Sequence, residues 1–376
     1  MFIKEIKLEN FRNYDFAKIE LNEKTNIFFG DNAQGKTNIL EAIFFAGLGK
    51  SFRTNKEKGL IKENKENAKI EIIFTKNNRE EKINVEINDK KKFFINEIPV
   101  RKLSEIIGKI NIVLFNPEDI EILKNEPTRR RKFLNIMISQ LRPKYIYLMS
   151  EYSKALEQRN NYLKQIKFEN KSKNNLEIWD EQLVNLGIKI YEYRKEFIEK
   201  INNKIKEIHN KTTENKETIE IKYKSNINKN NYLEKLKNNM ELDIQKGFTS
   251  VGIHRDDFEI YINGKNVAVF GSQGQQRSSI ISLKLAEAEV VYDEIEEYPV
   301  LLLDDFMSEL DKKRVKGFIN NIKNNQVLIT TTEKITLDTM MYNLYKVEKA
   351  KVERIDWQWK NLNMSIKQTK FKYWKA

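Results

Sequence analysis

The chain has 376 residues, no cysteine and a formal net charge of +13, from 68 basic against 55 acidic residues. The length accommodates two domains or one large head with an insertion, and the positive surplus favours polyanionic partners, either nucleic acid or an anionic membrane surface. The missing cysteines exclude disulfides, thiolate metal sites and cysteine nucleophiles, and the apolar runs are too short to cross a bilayer.

At the N-terminus, Met1-Phe2-Ile3-Lys4-Glu5-Ile6-Lys7-Leu8 alternates apolar and charged residues as a half-buried strand does. It lacks the apolar stretch and small-residue cleavage site of a signal peptide, so a cytoplasmic chain is the simplest expectation. Residues 1–22 read as two strands joined by Asn10-Phe11-Arg12-Asn13-Tyr14. Thr25-Asn26-Ile27-Phe28-Phe29 is β-branched and apolar, a buried strand. Gly30-Asp31-Asn32-Ala33-Gln34-Gly35-Lys36-Thr37 then fits G-x-x-x-x-G-K-[ST], and Asn38 to Ala46 reads as a helix packed in a core. Glycines let backbone approach phosphate oxygens, and a helix N-terminus presents unpaired N–H groups to an anion. The pattern assigns residues 30–37 to a nucleoside triphosphate, with Lys36 reaching the β/γ-phosphates and the Thr37 hydroxyl reaching Mg²⁺.

Several short strands follow: Lys69–Thr75, Lys82–Asn88 and Lys92–Ile95, with turns at Asn77-Asn78 and Asn88-Asp89. They form an antiparallel lobe beside the glycine-loop strand. Lys109–Phe115 is an apolar strand ended by Asn116-Pro117. Helical spacing then dominates from Pro127 to about Lys167 and again from about Leu176 to His209, the second run reaching roughly 50 Å at ~1.5 Å per residue. The two runs either pair as an extended arm or fold into a compact helical subdomain; their irregular heptads favour the compact form. Residues 211–239 read as strand, turn and short helix. From Gly247 the pattern is β again: Val251–Arg255, Phe258–Ile262, a turn at Asn263-Gly264, and Val267–Phe270.

Pro299-Val300-Leu301-Leu302-Leu303-Asp304-Asp305 is a buried parallel strand whose C-terminal end carries acids, where open α/β sheets place ligands. A glycine loop needs such a carboxylate to hold Mg²⁺ and a group to position water. Asp304 is the candidate for the first role and Asp305 for the second. Ahead of this strand, Phe270-Gly271-Ser272-Gln273-Gly274-Gln275-Gln276-Arg277 opens a long apolar helix from about Ser278 to Ile295. This is a second anion-binding helix start. One nucleotide does not need two from one chain, which points to a dimer.

The order of glycine loop, Ser-Gln-Gly-Gln-Gln-Arg turn, acidic strand and Asp304-Asp305-Phe306-Met307-Ser308-Glu309-Leu310-Asp311 resembles that of ABC-type ATPases. Leu8-Glu9-Asn10-Phe11-Arg12-Asn13-Tyr14, Ser51-Phe52-Arg53, Phe115-Asn116-Pro117-Glu118-Asp119, Arg129-Arg130-Arg131 and Gly252-Ile253-His254-Arg255-Asp256-Asp257 extend the resemblance, within that superfamily, to the RecF family. The resemblance implies an α/β fold: a P-loop ABC-type ATPase head, a mixed sheet with an antiparallel β lobe, plus an inserted helical domain. The head then comprises 1–122 and 246–376, and the insertion 123–245. It also implies ATP with Mg²⁺, ATP-dependent homodimerisation on double- and single-stranded DNA at gap junctions, slow hydrolysis that resets the dimer, and RecO and RecR as partners in RecA loading. By position, Lys36 and Thr37 contact phosphate and Mg²⁺, Asp304 is the Mg²⁺-side acid, Asp305 is catalytic, and Ser272 and Gly274 face the γ-phosphate bound by the opposite subunit. Arg12 resembles an SMC-head arginine near the phosphates, the reading preferred over a surface arginine on a strand turn.

Departures from the wider pattern mark the reaction as slow. Asp305 stands where many ABC proteins have glutamate, Thr330-Thr331-Thr332 where transporters have a histidine, and Asn116 near the place of a glutamine. His254, one of only two histidines, receives no catalytic role. The tail, with Asp356-Trp357-Gln358-Trp359-Lys360 and Lys370 to Ala376, holds three of the four tryptophans. It suits either edge strands packed on the head, the preferred reading, or base stacking. Arg129–Arg131 either contact DNA phosphates or cap a helix. Two other classes remain: a soluble transporter ATPase subunit, disfavoured by the absent histidine, the helical insertion and the basic balance, and a structural SMC-like protein.

Overall fold

The computed structural model describes residues 1–306 except 125 and 215, together with 318, 322, 324–334 and 342–355. The segment 307–311 and the aromatic tail from 356 lie outside the described residues.

The chain opens with β1 (Phe2–Glu9) and β2 (Phe16–Glu20), an antiparallel pair. A bulge between Ile3 and Glu5 lets Ile3, Ile6 and Leu8 all face inward despite their uneven spacing. β3 (Thr25–Phe29) leads through the glycine loop into α1 (Lys36–Leu48), which is buried along nearly its whole surface. β4 (Ala68–Lys76), β5 (Arg79–Ile87), β6 (Lys91–Ile95) and β7 (Ile98–Pro99) complete the antiparallel lobe in the order β2-β1-β4-β5-β6-β7. The β4–β5 hairpin turns on Asn77 and Asn78, both left-handed (φ 48° and 57°), the geometry that matches strand twist and that Asn tolerates.

β8 (Ile112–Phe115) precedes the helical region: α2 (Glu121–Lys124), α3 (Pro127–Leu141), α4 (Pro143–Glu169) and α5 (Leu176–Thr213). α4 and α5 pair antiparallel, with Tyr145 meeting Arg194, Tyr152 lying over Gly187, and Arg159 meeting Asp180. β9 (Ile219–Lys224), α6 (Tyr232–Asn238) and α7 (Met240–Lys246) pack back on the pair, so the compact form holds, not an extended arm. Buried Arg159 fastens them, donating to Asp180 at 2.6 Å and to Asp243 at 2.8 Å.

β10 (Asp257–Ile262) and β11 (Lys265–Asn266) add to β9 in a three-stranded sheet. This sheet joins strands from both sides of the 245/246 boundary expected from sequence. Two segments read as strands are not strands. At 251–255 the backbone bends into a 3-10 turn at Ile253–Arg255; Gly252 before it takes φ 137°, which favours glycine, and a Cβ there would lie 2.4 Å from the Tyr152 hydroxyl. At Val267–Phe270 the chain forms the short helix α8, started by Asn266, whose side chain accepts from the Ala268 N–H; only Val267 is buried.

α9 (Gln273–Ile295) then runs into β12 (Val300–Asp304), followed by β13 (Val327–Thr331), β14 (Tyr342–Glu348) and β15 (Lys351–Ile355). The central sheet has the order β15-β14-β3-β13-β12-β8, parallel except for β15. Its inner strands β3, β12 and β13 are buried on both faces. Ile27, Leu301, Leu303, Val327 and Ile329 face the core built by α3–α5 and α9, while Phe28, Val300, Leu302 and Leu328 face the core shared with α1 and the antiparallel lobe. Being parallel, β3, β8, β12 and β13 all end at one edge, and that edge carries Gly30, Asn116 and the Asp304-Asp305 pair.

Candidate functional site

The loop 30–35 is fixed from outside. A Cβ on Gly30 (φ 152°) would fall 2.2 Å from the Val347 carbonyl oxygen, so only glycine lets β14 pass this close. The Gln34 carbonyl accepts from the Asn13 amide at 3.1 Å, and the Gly35 carbonyl from the Tyr14 hydroxyl at 3.1 Å. The Lys349 N–H donates to Gln34 Oε1 at 2.6 Å. Lys36, buried, donates to the carbonyls of Gly30 and Asp31 at 2.6 and 2.7 Å. Burial lowers its pKa, and the carboxylates of Asp305, Asp304 and Asp31 work against that shift.

Thr37, in the first turn of α1, donates through Oγ1 to Asp304 Oδ1 at 2.7 Å. The same oxygen accepts from the Thr330 hydroxyl at 2.8 Å, and Thr330 Oγ1 in turn accepts from the Asp305 N–H at 2.9 Å. Asp305 is left-handed (φ 47°). Asp304 is 8% exposed, and burial raises its pKa against the hydrogen bonds from Thr37 and Thr330. A hydroxyl and a carboxylate converging beside a loop of backbone N–H groups are hard oxygen donors, the ligand type Mg²⁺ takes. A cation there would also relieve the cost of a buried carboxylate.

Sequence reasoning missed Thr330 as an orienting group, seeing only that it was not histidine. It also missed Glu41. This side chain is fully buried in α1 and accepts from Arg12 Nε and Nη2 at 2.8 and 2.6 Å, from the Ser51 hydroxyl, and from Arg53 Nη1 at 3.4 Å. Arg53 Nη1 also donates to Asn38 Oδ1 at 2.8 Å. Two separate sequence segments, 8–14 and 51–53, therefore meet on one carboxylate. A lone acid within Asn38-Ile39-Leu40-Glu41-Ala42-Ile43 was the available signal. Arg12 itself is bound to Glu41 and to the Gly59 carbonyl at 2.6 Å; its neighbours Asn13 and Tyr14 are the residues that touch the loop.

The Ser272 turn has different neighbours. Ser272 is the N-cap of α9: its Oγ accepts from the Gln275 N–H at 3.2 Å, and Gln275 Oε1 accepts from the Ser272 N–H at 3.0 Å. This capping box starts the helix at Gln273, earlier than the apolar run suggested. Ser272 and Gln273 are exposed, and Gly274 lies in the first turn. The turn is bordered by Glu217 and Val267, whereas the glycine loop is bordered by Asn13, Tyr14, Val347 and Lys349.

The remaining motifs brace the helical region. Arg130 forms a two-pronged ion pair with Asp257 (2.5 and 3.0 Å), Arg131 donates to the Asp256 carbonyl at 2.8 Å, and Arg129 pairs with Glu121 at 2.8 Å. Those three arginines thus join α3 to the 253–257 bend and to α2. Asp256 also accepts from buried Arg194, Tyr223 and Ser225. His254 Nε2–H donates to the Thr249 carbonyl at 3.0 Å, so Nδ1 accepts from Tyr152 at 2.9 Å; burial pushes its pKa down to about 4. Among the described residues, no helix is long and apolar enough to cross a membrane.

The family model for the RecF/RecN/SMC N-terminal domain matches residues 2–355. The chain is 44% identical over 350 residues to the DNA replication and repair protein RecF of Alkaliphilus oremlandii, covering 90% of this chain and 95% of the relative. It is 43% identical over 366 residues to the RecF of Clostridium botulinum, covering 94% of this chain and all of the relative. A solved structure of the recombination mediator protein RecF with ATP, in the RecFOR pathway, superposes with a TM-score of 0.87 at 36% identity over 94% of this chain and 97% of the other. An Smc head bound to the C-terminal winged-helix domain of ScpA superposes at 0.58 and 16% identity over 97% of this chain and all of the other, a likeness of fold alone. With the strand–loop–helix site, the acidic strand end and the helical insertion in one chain, this protein belongs to the RecF family of ABC/SMC-type ATPases.

Proposed function

We propose that this protein is an ATP-driven clamp for DNA repair: two copies close on DNA around two nucleotides and open when hydrolysis is complete. The observation that carries the reading is the division of the anion-binding groups. Residues 30–37 with Thr37 and Asp304 make one half of a site. Ser272 and Gly274, on an exposed helix start with separate neighbours, make the other half, and a second copy of the chain brings the halves together. Lys36 binds the β/γ-phosphates, and Arg12, held by Glu41, stands near the phosphates while bracing the 10–14 turn against the loop. Thr37 and Asp304 are the residues that would hold Mg²⁺, which when bound neutralises phosphate charge. Asp305 orients the attacking water, and Ser272 donates its hydroxyl hydrogen across the interface. Asp305 reaches one methylene less far than glutamate, consistent with slow turnover used as a timer.

The net charge of +13 supports DNA as the polyanion, and the family resemblance makes gapped duplex the form to test. The relatives named for the RecFOR pathway make RecO and RecR the proteins to test, in RecA loading in the cytoplasm. Residues 123–245 serve as the inserted helical domain of the 1–122 and 246–376 head. The test is sedimentation with and without ATP and gapped duplex. Wild type dimerises with ATP, and Asp305→Asn stays dimeric because hydrolysis is blocked. Lys36→Met loses nucleotide binding and dimerisation together. A Lys36→Met chain that dimerises like wild type refutes the clamp.

A further inference from the structure

The Ser272 turn is connected to the helical insertion by a chain of side chains that the clamp reading does not use. Gln275 holds Ser272 by both ends of the capping box. Its remaining amide group donates to Glu217 Oε1 at 2.8 Å. Glu217 Oε2 lies 3.2 Å from His209 Nε2, and His209 Nδ1 lies 2.9 Å from the Ser282 hydroxyl. A carboxylate only accepts, so Nε2 carries the hydrogen and Nδ1 accepts from Ser282. His209 is fully buried near the C-terminal end of α5, and Glu217 stands in the link between α5 and β9. Ser282 is fully buried in α9. The end of α5 thus grips α9 at two places, at its first turn through Glu217 and near its middle through Ser282.

We infer that Glu217 and His209 are positioning residues for the partner's ATP site: through Gln275 they set the place and orientation of Ser272, so the helical insertion controls how well the second half-site fits. This rests on the two-chain site proposed above. The chemistry is directional. Ser272 accepts the Gln275 N–H through Oγ, which leaves its own hydroxyl hydrogen for donation outward, toward a phosphate. Gln275 reaches back to the Ser272 backbone only while its amide is held in that rotamer, and Glu217 is the group that holds it. α5 is one continuous helix of 38 residues, ~57 Å long, whose other end is tied to Arg159 through Asp180. A displacement of the insertion is therefore delivered to the Ser272 turn as a rigid-body shift.

The test separates the two readings by mixing variants. Glu217→Ala is expected to bind ATP at its own loop as wild type does, within about twofold, yet to turn over about tenfold more slowly, the effect of one lost charge-assisted hydrogen bond. Glu217→Gln, which keeps one of the two bonds, falls between; it also serves should the alanine variant not fold. Mixed in equal amounts with Asp305→Asn chains, Glu217→Ala should recover to about a quarter of wild-type turnover, because half the dimers are mixed and each holds one intact composite site. The control mixes Ser272→Arg with Asp305→Asn. If the control recovers and the Glu217 mixture does not, the defect lies in the mutant's own nucleotide site and this inference is overturned. If the control also fails, the two-chain site is refuted and the inference falls with it. A Glu217→Ala chain with wild-type turnover overturns it directly.

Discussion

Replacing Glu41 by alanine tests the organisation around the glycine loop most directly. The carboxylate is fully buried and accepts from Arg12, Ser51 and Arg53, while the Arg12 side chain is 20% exposed. Alanine suits the interior of α1, so helix propensity does not oppose the change. The loss comes from Arg12, left with the Gly59 carbonyl and partial water, and from the buried Ser51 hydroxyl, left without its acceptor. Removing one partner of a fully buried pair costs about 3–5 kcal/mol, and the partial exposure of Arg12 brings the expected value to about 3 kcal/mol. The same change loosens the 10–14 turn, whose Asn13 and Tyr14 hold the loop carbonyls. Losing one of those bonds weakens ATP binding by about 1 kcal/mol, or about fivefold. Urea unfolding at constant m-value measures the first effect and nucleotide titration the second. Arg12→Ala alone leaves Glu41 buried with fewer donors, so the double variant should cost about 2 kcal/mol less than the two singles summed. A stability change under about 0.5 kcal/mol, or an additive cycle, refutes the idea that Glu41 organises this corner.

Two pH experiments follow from buried groups with opposite signs. His254 is held neutral with a folded pKa of about 4, below its unfolded value of 6.5, so its contribution is complete above pH 6.5 and is lost as pH falls toward 4; wild type should lose up to ~3 kcal/mol over that window relative to His254→Gln, and parallel stability curves for the two refute it. Asp304 is the reverse: burial raises its folded pKa above the unfolded 3.8, so its charge destabilises the nucleotide-free protein at neutral pH and that burden is relieved as pH drops through the folded value. Asp304→Asn should therefore raise the melting temperature at pH 7 while abolishing hydrolysis, with the gain vanishing below pH 3.8; a gain independent of pH contradicts the cause given.

Much of the site was legible because its chemistry demands local spacing. A glycine loop must join a buried strand to a helix within a few residues, so Gly30 to Thr37 announces itself. Val300 to Asp305 likewise must be apolar on both faces and acidic at its end, because it runs through the middle of a parallel sheet. Capping also acts over three residues, and the Ser272–Gln275 box starts α9 at Gln273, ahead of its apolar run. The strands expected at 251–255 and 267–270 failed for a related reason. Their apolar residues suggested pairing, but Gly252 takes a positive φ in one segment and the Asn266 cap starts a helix in the other.

What only the tertiary structure decided were the partners of charged groups far apart in sequence. Arg129 to Arg131 read equally well as a DNA patch, and only the fold brings Asp256 and Asp257 to two of them. Arg12 gives no sign in the sequence of the buried carboxylate it meets, Glu41, which also accepts from Ser51. Thr330 is one threonine among three until β13 lies beside β12 and its hydroxyl meets Asp304. Backbone periodicity is written locally, by which side chains can share a face. Ion pairs and orienting hydrogen bonds carry no such period, since any carboxylate can serve any guanidinium. The amino-acid order alone therefore determined that this chain builds a nucleotide-binding α/β head with a helical insertion. The packing of that head decided which polar side chains hold the loop, the acids and the Ser272 turn in place.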